Sequence, residues 1–384
     1  MGIVNMMIVG DRSDGKTVAL CCTYYKMMES LEKREFDLTS CGDTAGRVLE
    51  WLSDVYGEMM EDGKFPEGTV QNKELEFYFQ KNEETICKVV WLDPSGEYAI
   101  NSDEDTGTKE EIQKYRDNLK AAALEIYIVP GNVVYDYIRL TDEETYGDLW
   151  DSPEEKMRAR RNVGYETTKL KAMIERSKEI RSDRPPIVFY MTKADYIKND
   201  LDGTKKIQGL KKYVTERFHF KDRAVLGCYS TVGTNVYIED NRITSGFEPK
   251  GFEIPLMLTV GYRLSENGKK WDLELERLIE EEDRKRIAAS GSLAVLDGRN
   301  GLFDRLRRIR EKERQREEKE RAARQKEIKD ADARIADLKV QRNVQNQERN
   351  YADDICRYLS KNCKNMFFYL DPDGKEKELS CFFQ

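Results

Sequence analysis

Apolar and polar residues along this chain recur with two alternating periods, which predict strands and helices in turn. Residues 3–9 (IVNMMIV) form an almost unbroken apolar run, as in a strand buried on both faces. From Lys16 the spacing lengthens to three and four, placing Val18, Cys22 and Tyr25 on one helical face. A polar connector, SLEKREFDLTSCGD, leads to TAGRVLEWLSDVYGEMME. There Val48, Leu52, Val55 and Met59 share a face before Pro66 and Gly68 break the helix. ELEFYFQ alternates like a strand, and ICKVVWLD is a strand ending in acid. A charged stretch from Glu97 to Asn118 precedes the buried strand ALEIYIVPG, and residues 141–185 read as a polar insertion plus an exposed helix. The strand PIVFYMT, the helix KKIQGLKKYVTERF, the strand RAVLGCY and a closing helix, GFEIPLMLTVGYRL, complete the series. This alternation predicts an α/β fold, a mostly parallel sheet with helices on both faces.

That domain is read as 1–264, with a long segment at about 35–73 and a charged insertion at about 141–162. Residues 265–301 read as a linker or helical segment. Residues 302–350 hold neither Gly nor Pro, and their sixteen basic and eleven acidic residues predict one long charged helix. Leu302, Leu306 and Ile309 begin a heptad-like seam that fails at Glu313 and Arg316; a second short seam runs Ile328, Ala331, Ile335, Leu338. Two readings stay open: a solvated helix laced with i,i+4 ion pairs, or a weak coiled coil with itself or a protein partner. Residues 351–384 read as a helix and small hairpin, with two apolar runs around the turn signal DPDG.

Composition narrows the chemistry. A net charge of −8 gives no footprint for specific nucleic-acid binding, though the basic excess in 302–350 leaves a contact with acidic lipid or nucleic acid open. No apolar run reaches the ~20 residues of a transmembrane helix, and no basic leader or cleavage site marks a signal peptide. Eight cysteines without a C-x-x-C pair fit a reducing, cytoplasmic setting. His219 is the only histidine, which removes His-rich zinc sites and argues against Ser-His-Asp or Cys-His catalysis. In ERFHF it reads as a helix-end residue near the negative pole of the dipole.

Three motifs carry chemistry. IVGDRSDGKT matches G-x-x-x-x-G-K-[ST] between a strand and a helix. Its amides and the helix N-terminus would bind phosphate, Lys16 would reach the β- and γ-phosphates, and Thr17 would ligate Mg²⁺. VVWLDPSGE ends a strand in D-x-x-G, bringing a carboxylate (Asp93) toward Mg²⁺ and a glycine amide (Gly96) toward the γ-phosphate. FYMTKAD ends a strand in [NT]-K-x-D, the base-reading signature of GTP-binding proteins. Asp195 would accept the guanine N1 and N2 donors, and Lys193 would lay its stem along the base. A weaker fourth piece, GCYST, would close over the base near Ser230 and Thr231.

In this order the motifs resemble the Ras-like superfamily of P-loop GTPases, in its translation-factor-related class, over roughly residues 1–264. The segment with GKFPEGT looks more narrowly like the switch region of bacterial GTPase-like proteins from conflict or defence systems. The resemblance nominates Thr69 as the switch threonine that binds Mg²⁺ with GTP, with Thr44 and Thr39 as rivals. It implies Lys16, Thr69, Gly96 and Glu97 as catalytic residues and Thr17, Thr69 and Asp93 as metal ligands. GTP or GDP would contact Gly10, Asp11, Arg12, Ser13, Asp14, Gly15, Lys16, Thr17, Val18, Thr192, Lys193, Asp195, Ser230 and Thr231.

There are three departures. Thr192 stands where Asn is commoner. Glu97 follows Gly96 where a water-orienting Gln is usual. No arginine lies three residues before Thr69, which leaves Arg12 and Arg47 as candidate fingers. The expectation is a slow Mg²⁺-dependent GTPase switch coupled to a protein partner through its C-terminal helix. The alternative is a GTP-binding interaction module with little hydrolysis. A membrane-remodelling assembly finds no amphipathic lipid segment to support it.

Overall fold

A computed structural model describes residues 2–11, 13–28, 35–42, 45–66, 73–93, 109–142, 150–198, 200, 203–220, 223–233, 237–239, 242–303 and 311–383. They divide into two compact units, 1–263 with 352–384, and 264–351.

The first unit is α/β. Its strands are β1 (Gly2–Val9), β2 (Phe36–Ser40), β3 (Lys73–Lys81), β4 (Glu84–Asp93), β5 (Glu125–Pro130), β6 (Ile187–Thr192), β7 (Val225–Tyr229), β10 (Phe367–Leu370) and β11 (Glu376–Lys377). They form one nine-stranded sheet in the order β11-β10-β7-β6-β5-β1-β4-β3-β2. β8 (Tyr237–Glu239) and β9 (Arg242–Ser245) make a separate hairpin. From β4 through β1, β5 and β6 to β7 the strands are parallel; β2, β3, β10 and β11 add antiparallel pairs at the two edges.

Strand periodicity sets two buried faces. Met7 and Val9, Tyr127 and Val129, and Ile187, Phe189 and Met191 enter one cluster. Covering it are α3 (Lys109–Ala121), α4 (Gly131–Thr141), α5 (Pro153–Ile180) and α6 (Thr204–Arg217), which contribute Leu119, Val134, Leu170 and Leu210 among others. Met6, Ile8, Ile126, Ile128, Val188 and Tyr190 point the other way and are equally buried. On that side α1 (Lys16–Met28) is tied to the start of α7 (Ile254–Phe303): Thr23 Oγ1 donates to the Phe252 carbonyl at 2.7 Å, and Lys26 pairs with Glu253 at 3.0 Å. Helix α2 (Ala45–Glu61) packs against α1, with Tyr56 stacked on Tyr25 at 4.0 Å between centroids.

Several expectations need correction. The polar connector contains β2, whose Phe36 and Leu38 are buried beside β3. The stretch 141–185 is not an exposed helix: α5 buries Ala159, Val163, Leu170, Met173 and Ile174. Of the two readings of 265–301, linker or helical segment, the helical one holds: these residues continue α7. Of the helix expected over 302–350, α8 accounts for the described part from residue 311 and runs on to residue 362 (Glu311–Asn362), while 304–310 lie outside the described residues. His219, by contrast, is the helix-end residue expected, exposed just past the end of α6.

The second unit pairs the later part of α7 with the earlier part of α8, antiparallel. Arg342 meets Glu276 at 3.0 Å, Arg334 meets Glu282 at 3.5 Å and Arg286 meets Asp332 at 3.5 Å. No helix among the described residues is long and apolar enough to cross a membrane.

Candidate functional site

The order of the strands brings the candidate residues to one end of the sheet. The chain leaves β1 to build β2–β4 on one side and then β5–β7 on the other. The order reverses at β1, and the carboxyl end of such a strand is the position where open α/β sheets take ligands. The segments after β1, β6 and β7 all emerge at that end.

After β1 the backbone turns sharply. Ser13 (φ 69°) and Gly15 (φ 92°) are left-handed, a conformation glycine adopts without a Cβ penalty. At Gly10 a Cβ would lie 3.1 Å from that of Ile128 and 3.2 Å from Asp14 Oδ2. Lys16 opens α1, buried, and its ammonium donates to the carbonyls of Gly10 (3.0 Å) and Asp11 (2.8 Å). Thr17 follows, buried, and Val18 is half-buried. The Asp11 N–H donates to Asp14 Oδ2 at 2.5 Å.

The end of β6 grips this loop. Thr192, buried, donates its hydroxyl to the Asp14 carbonyl at 2.7 Å, and its Cβ lies 3.6 Å from where a Gly15 Cβ would sit. Lys193, exposed, takes a left-handed conformation (φ 53°), and its carbonyl lies 2.2 Å from where a Gly131 Cβ would sit. That chain reversal leads to Asp195. Three donors converge on Asp195 Oδ1: the Thr231 hydroxyl, the Val232 N–H at 2.9 Å and the Gly233 N–H at 3.3 Å. Burial pushes the Asp195 carboxyl up, and these hydrogen bonds offset part of that rise. The loop after β7 therefore meets Asp195 through Thr231. Ser230 instead faces the interior, where its hydroxyl accepts from Tyr190 at 2.7 Å.

None of the sequence motifs falls on α5, yet this helix reaches the site. Lys169, buried, lies 2.5 Å from Glu166, 3.4 Å from Asp11 Oδ2 and 3.9 Å from Asp14 Oδ2. Burial alone would lower the Lys169 pKa, but Asp14, Glu166 and Asp11 outweigh it and hold it raised. Burial pushes Asp14 and Glu166 up, with Lys169 opposing.

Asp93 ends β4, one position beyond the Met7–Leu92 pair, so its backbone lies beside the start of the loop after β1; its side chain is not among those described. Arg12, Thr44, Thr69, Gly96 and Glu97 lie outside the described residues. Thr39 lies on β2, bonded to Gln80, and Arg47 is exposed in the first turn of α2. Among the described residues no group of three or more His, Cys, Asp or Glu side chains could hold a metal ion. A Mg²⁺ site needs less, because it takes one or two protein oxygens and completes its shell with phosphate and water. The hydroxyl of Thr17 and the carboxylate type at Asp93 are oxygen donors of that kind.

No protein-family model matches the chain, and no curated protein matches its sequence.

Proposed function

We propose that the first unit is a Mg²⁺-dependent guanine-nucleotide site, and that the protein is a slow GTP-hydrolysing switch. The observation that carries the reading is the bond from Thr192 to the Asp14 carbonyl. It ties the segment ending in Asp195 to the loop containing Lys16, across 178 positions of sequence. A polyphosphate would lie on the loop amides and the start of α1, with Lys16 turned toward it. Guanine presents the donor pair a carboxylate accepts, and adenine does not, so Asp195 would select the base. Thr17 and Asp93 would hold Mg²⁺, with Thr69 joining when GTP is bound; the ion would supply charge neutralisation. Catalysis would be positioning and electrostatics by Lys16 and the loop amides, with Gly96 and Glu97 near the γ-phosphate. The C-terminal helices would carry the state of the site to a protein partner or a second copy, as in a bacterial defence GTPase.

A specific feature favours the second reading, GTP binding with little turnover. Glu97 follows Gly96, and a carboxylate there repels the γ-phosphate.

The nucleotide that co-purifies, read by ion-exchange chromatography, and titration calorimetry with GDP and ADP in Mg²⁺ test the site. GDP binding at least a hundredfold tighter than ADP is expected, and equal affinity overturns the reading. Asp195→Asn should exchange the preference from GDP to XDP. Phosphate release abolished by Lys16→Ala identifies hydrolysis; release no faster than in that variant leaves the binding module.

A further inference from the structure

The phosphate loop is closed on itself by its own side chains. The Asp11 N–H, a donor at the mouth of the loop, is taken by the Asp14 carboxylate at 2.5 Å. Lys16 donates inward to the Gly10 and Asp11 carbonyls. The carboxylate is itself held: Asp14 is buried, and Lys169 reaches it from α5, also buried, 3.9 Å away. The Asp14 backbone is held separately, by the hydrogen bond from Thr192 to its carbonyl at 2.7 Å.

An anion bound through a backbone N–H and beside two ammonium groups is the arrangement a phosphate requires. We propose that Asp14 is an internal stand-in for phosphate, a latch that incoming polyphosphate must displace, and that Lys169 is the positioning residue that receives the displaced carboxylate. The inference rests on the nucleotide-site reading above. When the ligand enters, the Asp11 N–H and Lys16 exchange Asp14 and the loop carbonyls for phosphate oxygens. Asp14 then moves onto Lys169, alongside Glu166, which already bonds that lysine at 2.5 Å. The latch lowers apparent affinity by the fraction of molecules in which it is open. Lys169 has a second effect: without it Asp11, Asp14 and Glu166 repel a polyphosphate with less compensation.

The two residues therefore have opposite signs. In calorimetry of the full chain with GDP and Mg²⁺, Asp14→Ala should tighten binding about tenfold, and Asp14→Asn by less, since its amide oxygen still accepts the Asp11 N–H weakly. Lys169→Met should weaken binding about tenfold, and Lys169→Arg should restore it. A residue of merely structural importance gives no gain in affinity on truncation. Should the wild type bind GDP and Asp14→Ala bind it equally or more weakly, the latch is overturned and the nucleotide site stands. Should Asp14→Ala fail to fold, the direction in which Asp14→Asn moves the affinity decides in its place. Binding gained by Asp14→Ala where the wild type shows none supports the latch. No GDP binding by the wild type or by either Asp14 variant overturns both.

Discussion

Lys169 is a cation enclosed by carboxylates, so the consequence of removing it depends on pH. Its charge lowers the pKa values of Asp14 and Glu166, both already raised by burial above their ordinary 3.8 and 4.5. In Lys169→Met both rise further, and the folded state then takes up protons that the unfolded state does not. The variant's deficit is therefore full above the new folded pKa values and shrinks as pH falls toward the ordinary carboxylate range. Urea unfolding should show a loss of about 1–3 kcal/mol near pH 7, discounted for the partly exposed Asp11, and a smaller loss near pH 4. A deficit independent of pH would mean that only packing was lost. The same residue shows which parts of the site a reader of sequence can find. Gly10 to Thr17 and Thr192 to Asp195 are contiguous, and their chemistry is concentrated in a few positions. Lys169 and Glu166 sit among ordinary solvated charges in YETTKLK. What separates them from their neighbours is a shared face with Val163, Leu170 and Met173, which appears only once α5 is packed.

At the scale of elements, the second unit depends on a seam with a seven-residue period. Leu275, Glu282, Ala289 and Leu296 of α7 are all buried, and Ala331 and Ile335 of α8 are buried on the opposite helix. Glu282 occupies a position that an apolar residue would fill, and pairs there with Lys285 at 2.8 Å and Arg334 at 3.5 Å. A charged residue at such a position fixes register. It also hides the seam from sequence, because the heptad is interrupted where it should be clearest. The α8 half, Ile328 to Leu338, is legible but too short to identify its partner. Strand β2 escapes notice for a related reason: FDLTS offers two inward positions, too few to establish a period of two. Leu275→Ala should cost about 2–5 kcal/mol and bring forward the thermal loss of helical ellipticity. Ile287→Ala, on an exposed face, should move stability by no more than about 0.5 kcal/mol.

For the whole molecule, the C-terminal residues complete the first unit. Ile355 and Leu359 of α8 are fully buried, Lys81 of β3 pairs with Asp354, and Tyr358 meets Phe36 of β2 edge-on at 5.8 Å. At the other edge of the sheet β10 pairs with β7, and Phe368 lies so close that a Cβ at Gly227 would be 2.2 Å from its ring. A chain stopped at 351 loses cover at both edges and exposes an unpaired β7, so it should be insoluble. Excising 264–351 is a different operation. Residue 261 already touches residue 355, since a Cβ at Gly261 would lie 3.2 Å from Ile355 Cγ2. A bridge of about six Gly and Ser residues, reaching roughly 20 Å, should therefore join 263 to 352 without strain. The loop-closure cost of so short a bridge is small beside the burial it preserves. The excised protein should stay soluble, unfold in one cooperative transition, and bind GDP within about threefold of the full chain, a difference under 1 kcal/mol. If it fails to fold while retaining 352–384, the first unit does not fold independently of 264–351, and its division from the helical unit is wrong.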